Sequence, residues 1–267
     1  MLMSPKPKNT KQIEHILDVM HEMFRDFPMT ELQYETPFQC LIAVMMSAQT
    51  TDVQVNKVTT TLFQKIKTPT DVVKMGQEKF GQSIKSIGLR TGKAKNIFAM
   101  SQQLIALSEK FVQEHTIEKK YAMKQHTGVD NHMSYESPSA IFSSFGYIIP
   151  DSLDELVALP GVGIKTAKVV LYVLYGHRHV AVDTHVHRVM NRLGVVSTKS
   201  PEQTSKQLET AIPDSYKDIA HKTIIYFGRY HCTAKNPKCL SCPLQKICPY
   251  FKEVMKEKLL GKNKYDE

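Results

Sequence analysis

Cys232, Cys239, Cys242 and Cys248 stand at C-x6-C-x2-C-x5-C, a spacing that closes four thiolates around one centre within a short stretch also carrying proline and lysine. Cysteines packed so closely, in a chain that shows no need of disulfides, have the pattern of an intracellular metal or cluster site. Two cofactors meet that requirement. Structural zinc usually uses two close pairs, and here only Cys239 and Cys242 are close. A [4Fe-4S] cube also takes four thiolates and suits the longer flanking arms. Spacing favours the cube and leaves zinc open.

A second chemical segment is LPGVGIKTAK, Leu159 to Lys168. Pro160 ends one helix, and Gly161 and Gly163 let the backbone turn tightly while keeping side chains away from an approaching ligand. Amides at the start of the next helix then form a site for a backbone phosphate that reads no base. Ile87, Gly88 and Leu89, followed by Lys93, Ala94 and Ile97, form a looser copy. For either segment the plain alternative is an ordinary helix-helix turn.

Lys165 falls in the first turn of the helix leaving this hairpin, where a cation opposes the positive end of the dipole. An ordinary lysine is unprotonated only about one part in a few thousand at pH 7, so an attacking amine needs its pKa lowered. The helix start, partial burial and neighbouring lysines would each act in that direction. Lys165 is therefore a candidate nucleophile, with phosphate binding as its plainer role. Asp183, in VAVDTHVHR, directly precedes another helix. As a plain residue it is an N-cap; as a functional one it takes a proton or stabilises a cationic sugar centre. His185 reads as a local hydrogen-bonding partner.

The elements that must hold these groups are helical. Ile13, Ile16, Leu17, Met20, Met23, Phe24 and Phe27 recur at three- and four-residue steps, predicting a helix that ends before Pro28. The run from Phe38 to Met46 is apolar on nearly all sides and predicts a buried central helix after Pro37, with Cys40 as a packed core residue. Periodic segments cover about 52–66, 91–107, 166–175, 184–193, 201–211 and 216–229. Ser152 with Glu155, and Ser200 with Pro201 and Gln203, read as capping boxes. Residues from about Glu114 to Ser144 lack a sustained period and read as a loop or disordered insertion. His115, His126 and His132 there, and His177 outside it, lack the i,i+4 pairing of a metal site. MLMSPKPKNT and GKNKYDE read as solvated tails.

The 267 residues, 42% of them hydrophobic, are enough for one large or two small domains. A net charge of +9 makes a polyanion the default partner. The apolar runs are too short to span a bilayer and the first residues lack a signal-peptide core, so a soluble, intracellular protein with no membrane partner is expected.

LPGVGIKTAKVV, VAVDTHVHRV, SAQTTDVQVNK (Ser47 to Lys57), SIGLRTGKAKNI (Ser86 to Ile97) and the cysteine pattern together resemble endonuclease III, of the helix-hairpin-helix DNA glycosylases, in the same order from about Lys11 to Lys252. The interval 114–144 departs from the family by its length. The resemblance implies an all-α fold: a six-helix barrel over 30–177 with the hairpin and the insertion, an iron-sulfur cluster lobe from 1–29 and 178–255, and a tail over 256–267. It implies a base-excision N-glycosylase with AP lyase activity on oxidised pyrimidines, in which Lys165 attacks C1′ of an extruded nucleotide, Asp183 assists, and β-elimination breaks the strand. Gln49 and Leu89 match residues that fill the gap left by the flipped base, with Ile87 and Gly88 in the same wedge loop. Gly161, Val162, Gly163, Lys235 and Lys238 match DNA contacts, and the four cysteines a [4Fe-4S] cluster. The expected partner is double-stranded DNA with damaged bases or abasic sites, met by a monomer. A mismatch or uracil glycosylase of the same fold, and a non-catalytic iron-sulfur DNA-binding protein, are the alternatives.

Overall fold

In the computed structural model the described residues are 8–115 and 135–253. They form helices linked by turns, and the chain divides into two compact units, Pro28–His177 and the described parts of Met1–Phe27 with Arg178–Glu267.

The unit Pro28–His177 is organised around α2 (Pro37–Ser47). Thr36 caps its start in a reciprocal box with Gln39, and Pro37 supplies a preset φ at the first helical position. Every residue from Pro37 to Met46 is buried, as the unbroken apolar run predicts. Each large side chain there contributes roughly 1.5–3 kcal/mol of burial. Gln39, fully buried, is satisfied at both ends: its oxygen accepts from the amides of Glu35 and Thr36, and its nitrogen donates to the carbonyls of Phe63 and Ile66. It thereby ties the start of α2 to the end of α3 (Asp52–Leu62). Cys40 lies in this core with no exposure.

Around α2 stand α4 (Pro69–Met75), α5 (Gln77–Ser83), α6 (Arg90–His115), α7 (Pro138–Phe145), α8 (Leu153–Val157) and α9 (Ile164–Tyr175). α9 packs directly on α2 and α8, and α6 on α4 and α5. The loop expected over 114–144 is corrected at both ends. α6 continues to His115, and Pro138 to Phe145 is a helix capped by Ser137, started by Pro138, stopped by Gly146 in the left-handed region and anchored by buried Ile141. Eight residues are too few to display a period, although the Ser-Pro start was legible. The readings for His126, His132 and the rest of 116–134 lie outside the described residues, as do those for GKNKYDE and the first seven residues.

The other unit holds α1 (Thr10–Met23), α10 (Thr184–Arg192), α11 (Pro201–Ala211) and α12 (Lys217–Tyr230). α12 packs on both α1 and α10. At Gly228 the two helices approach so closely that an added Cβ would lie 2.9 Å from Cβ of His185. α1 is shorter than expected at its end, because Phe24 leaves helical geometry, meets Phe27 edge to face and stacks with Tyr226. Its start corrects the expected tail: Asn9 caps it in a box with Gln12, and Lys8 Nζ donates to the carbonyl of Ile247 at 2.5 Å. Among the described residues no helix is long and apolar enough to cross a membrane.

Candidate active site and cluster loop

The hairpin between α8 and α9 turns on Gly161. Its φ of +78° is a left-handed conformation open to glycine, and an added Cβ would lie 2.6 Å from Cβ of Asn96 on α6. Val162 is buried, so its side chain anchors the hairpin in the core. Gly163 differs from Gly161. It is the N-cap of α9 with an ordinary extended φ of −87°, makes no side-chain cap, and has nothing within 4 Å of the position of a Cβ. The fold itself does not require glycine there. What its bareness leaves open is the approach to the first amides of α9, whose dipole favours an anion.

Lys165 is the second residue of α9 and is exposed. Partial burial, one of the influences expected on its amine, is therefore corrected: the residue is open to solvent. Lys168, one turn on, is buried on the core side.

Two further loops of the same unit carry the residues matched to the wedge. Gln49, just past α2, and Leu89, just before α6, both have φ of 58°, and among the described residues they are the non-glycine positions in the left-handed region. Each such backbone costs about 1–2 kcal/mol, and strain of this kind gathers where function demands a fixed geometry. Leu89 is also 66% exposed. Gly88 lets the loops meet, since a Cβ there would lie 3.3 Å from the carbonyl oxygen of Gln49. Ile87 is buried and holds its loop down rather than facing outward.

Lys93, in the first turn of α6 and only 9% exposed, donates to the carbonyls of Met46 (2.8 Å) and Ala48 (2.6 Å) and to Oγ1 of Thr50 (3.3 Å). Burial lowers its pKa. Sequence reasoning noted Lys93 only as part of a motif. Asn96, the neighbour that makes Gly161 obligatory, was missed as well.

Asp183, in the other unit, is the N-cap of α10. Its Oδ1 accepts from the amides of His185 (2.8 Å) and Val186 (2.9 Å). Both cap bonds fall on Oδ1, so capping does not consume Oδ2. The plain and the functional readings of this carboxylate are therefore compatible. His185 lies 3.2 Å through Nδ1 from Nη2 of Arg188, and burial lowers its pKa.

Cys232, Cys239, Cys242 and Cys248 line one small cavity walled by Leu193, Phe227, Tyr250 and Phe251. A cube takes four such thiolates, one for each of its irons. Burial and the neighbouring thiols push Cys242 up to about 11 and Cys248 upward. Those two sulfurs become thiolates beside a cationic centre, which the irons of a cluster would provide. The donor set fits. Arg192 braces the loop by donating to the carbonyls of Thr233 (2.6 Å) and Ala234 (3.0 Å), with its guanidinium 4.2 Å from the ring centre of Tyr250. Lys235 and Lys238 are exposed on the first arm.

Residues 42–214 match the family model of the HhH-GPD superfamily base excision DNA repair proteins, and residues 232–248 that of the iron-sulfur binding domain of endonuclease III. Endonuclease III of Bacillus subtilis is 40% identical over 241 residues, covering 90% of this chain and 93% of the relative. Among solved structures, a non-covalent endonuclease III-DNA complex is similar with a TM-score of 0.74 at 39% identity, over 93% of this chain and 99% of that one. A trapped endonuclease III-DNA covalent intermediate gives a TM-score of 0.72 with the same identity and coverage. A family model spanning more than half of the sequence, together with relatives this similar along nearly their whole length, settles the membership: the chain belongs to the HhH-GPD superfamily of base excision DNA repair proteins and, within it, to the [4Fe-4S]-carrying endonuclease III family.

Proposed function

We propose that this DNA glycosylase and AP lyase removes oxidised pyrimidines from double-stranded DNA as a monomer, with Lys165 as nucleophile and Asp183 as its acidic partner. The observation that carries the reading is Lys165 itself: an exposed amine on the first turn of a helix with no side-chain cap, entered through a glycine turn the fold demands. C1′ is inaccessible inside a duplex, so the damaged nucleotide is first extruded, and Gln49 and Leu89 fill the space it leaves. The bound nucleotide then excludes the water that surrounds Lys165 in the free chain.

Unprotonated Nζ attacks C1′, the bond from C1′ to the base breaks, and the base leaves with the electron pair and gains a proton. Asp183 stabilises positive charge on the sugar as that bond opens. Nζ then gives up a proton while the C1′–O4′ bond opens and O4′ takes one up, and the Schiff base so formed acidifies C2′. Loss of a C2′ proton and departure of the 3′ phosphate oxygen cut the strand, and water then hydrolyses the Schiff base to release Lys165. Gly163 and the first amides of α9 hold a backbone phosphate, as do exposed Lys235 and Lys238. The cluster, when bound, cross-links the loop that presents those two lysines.

Borohydride trapping on an abasic duplex tests the nucleophile: a covalent adduct is expected with the native protein and none with Lys165→Ala. An undiminished adduct in that variant would overturn the assignment. Duplexes bearing thymine glycol, oxidised cytosine, uracil, mispaired adenine or an abasic site, assayed for base release and nicking, test the lesion class. Preference for uracil or mispaired adenine over the oxidised pyrimidines would refute it.

A further inference from the structure

A buried ammonium has no evident place beside α2 and α6, where an apolar side chain of similar length would fill the space without the desolvation that a charge incurs. Lys93 is nonetheless nearly covered, and its three Nζ hydrogens meet three neutral acceptors: the carbonyls of Met46 and Ala48 and the hydroxyl of Thr50. Met46 is in the last turn of α2 and Ala48 is its C-cap residue, so the ammonium satisfies carbonyls at the negative end of that helix.

The position of these acceptors is informative. Ala48 and Thr50 are the two neighbours of Gln49, so Lys93 grips the chain on both sides of one strained residue. The Lys93 amide donates to the carbonyl of Leu89 at 3.0 Å, so the same residue also holds the other strained position. Gly88 brings the second loop against the carbonyl of Gln49. One side chain and its own amide thus connect two left-handed residues that lie forty positions apart in the sequence and belong to separate turns.

We propose that Lys93 is a positioning residue that holds Gln49 and Leu89 together as a preformed two-pronged wedge, so that base extrusion proceeds without first ordering either loop. The inference rests on the reading that these two residues occupy the gap left by the flipped nucleotide. A wedge whose backbone conformations are unfavourable for its own residue types would relax if unsupported. The clamp holds it in the shape that insertion requires.

Lys93→Met keeps the stem and removes the donors. Iron content and thermal melting establish that the holoprotein is intact. Single-turnover base release is then measured with saturating enzyme on thymine glycol paired with adenine, and on thymine glycol facing a one-nucleotide gap, where no pairing partner has to be displaced. The variant is expected to lose about tenfold or more on the paired lesion and less than about twofold at the gap. Combined with Leu89→Ala, it should add little to the loss that Leu89→Ala causes alone. Equal losses on both substrates, no loss on the paired one, or full additivity would overturn the proposal.

Thr50→Val, which deletes one acceptor and leaves the ammonium in place, carries the same test if Lys93→Met does not fold. It should give a smaller loss, again confined to the paired lesion, and an unselective effect would count against the clamp. If Leu89→Ala and Gln49→Ala themselves show no selective loss, the wedge reading fails and the clamp with it. If they do and neither Lys93→Met nor Thr50→Val does, the clamp alone fails.

Discussion

A side chain at Gly161 would place its Cβ 2.6 Å from Cβ of Asn96, so the hairpin that leads into α9 is seated against α6 by the absence of a single methyl group. Gly163, two residues on, has nothing within 4 Å of the equivalent position and an ordinary φ. The two glycines are alike in the motif and unlike in cause, and substitution separates them. Gly161→Ala should destabilise the protein by about 2–4 kcal/mol, from the strained φ together with the clash. Gly163→Ala should leave stability within about 0.5 kcal/mol and weaken duplex binding roughly tenfold, the loss of one charge-assisted hydrogen bond at the phosphate. Urea unfolding and fluorescence anisotropy at fixed salt measure the two effects.

Asp183 offers a similar separation. Its Oδ1 caps α10, and an asparagine presents an oxygen of the same reach without the charge. Asp183→Asn should melt close to the native protein while base release falls by about a hundredfold or more. Asp183→Ala should lose that activity and also about 1 kcal/mol of stability. If the Asn variant keeps full activity, the carboxylate serves as a cap only.

Much of this was legible in the sequence. The long helices announce themselves by period, the four thiolates by spacing, and Gly161 and Lys165 by the rigid motif around them. Short helices do not: α4 and α5 have seven residues each and α7 eight, about two turns, so the starts of α4 and α7 at Thr68-Pro69 and Ser137-Pro138 were the available sign, and α5, entered from Gly76 without a side-chain cap, had none. Lys93 was illegible for a different reason. A lysine in a helix ordinarily marks a solvated face, and the carbonyls that bury this one come from a turn more than forty residues away. The left-handed backbones of Gln49 and Leu89 were likewise hidden, because neither residue type favours that conformation.

The five cysteines divide into two kinds. Cys40 is fully buried, and burial, only partly relieved by a hydrogen bond from Tyr34, raises its pKa to about 12. At pH 8 roughly one part in ten thousand is thiolate, so it should resist a thiol reagent until the protein unfolds. The raised value also fixes a sign. Unfolded Cys40 titrates near 9.0 and the folded residue near 12, so its contribution to stability is intact below pH 9 and is lost as pH rises between those values. Cys40→Ala should flatten that alkaline slope while retaining iron. Serine at Cys232, Cys239, Cys242 or Cys248 should instead lower iron content and the visible absorbance of the cluster.

Leu89 is the sharpest test of strain kept for function. It is 66% exposed at φ 58°, so replacing it forfeits little burial and relieves an unfavourable backbone. Glycine adopts that φ freely, although it loses more chain entropy on folding, which offsets part of the gain. Leu89→Gly should therefore stabilise the free protein by about 0.5–1 kcal/mol, seen as a higher melting temperature. The same change removes the side chain proposed to fill the gap, so base release from a paired lesion should fall while borohydride trapping at an abasic site, where no base has to be extruded, changes less. Higher stability together with slower extrusion would mean that the residue is retained for the wedge against the preference of the fold. A variant that is both less stable and equally slowed on the two substrates would place Leu89 among the structural residues instead.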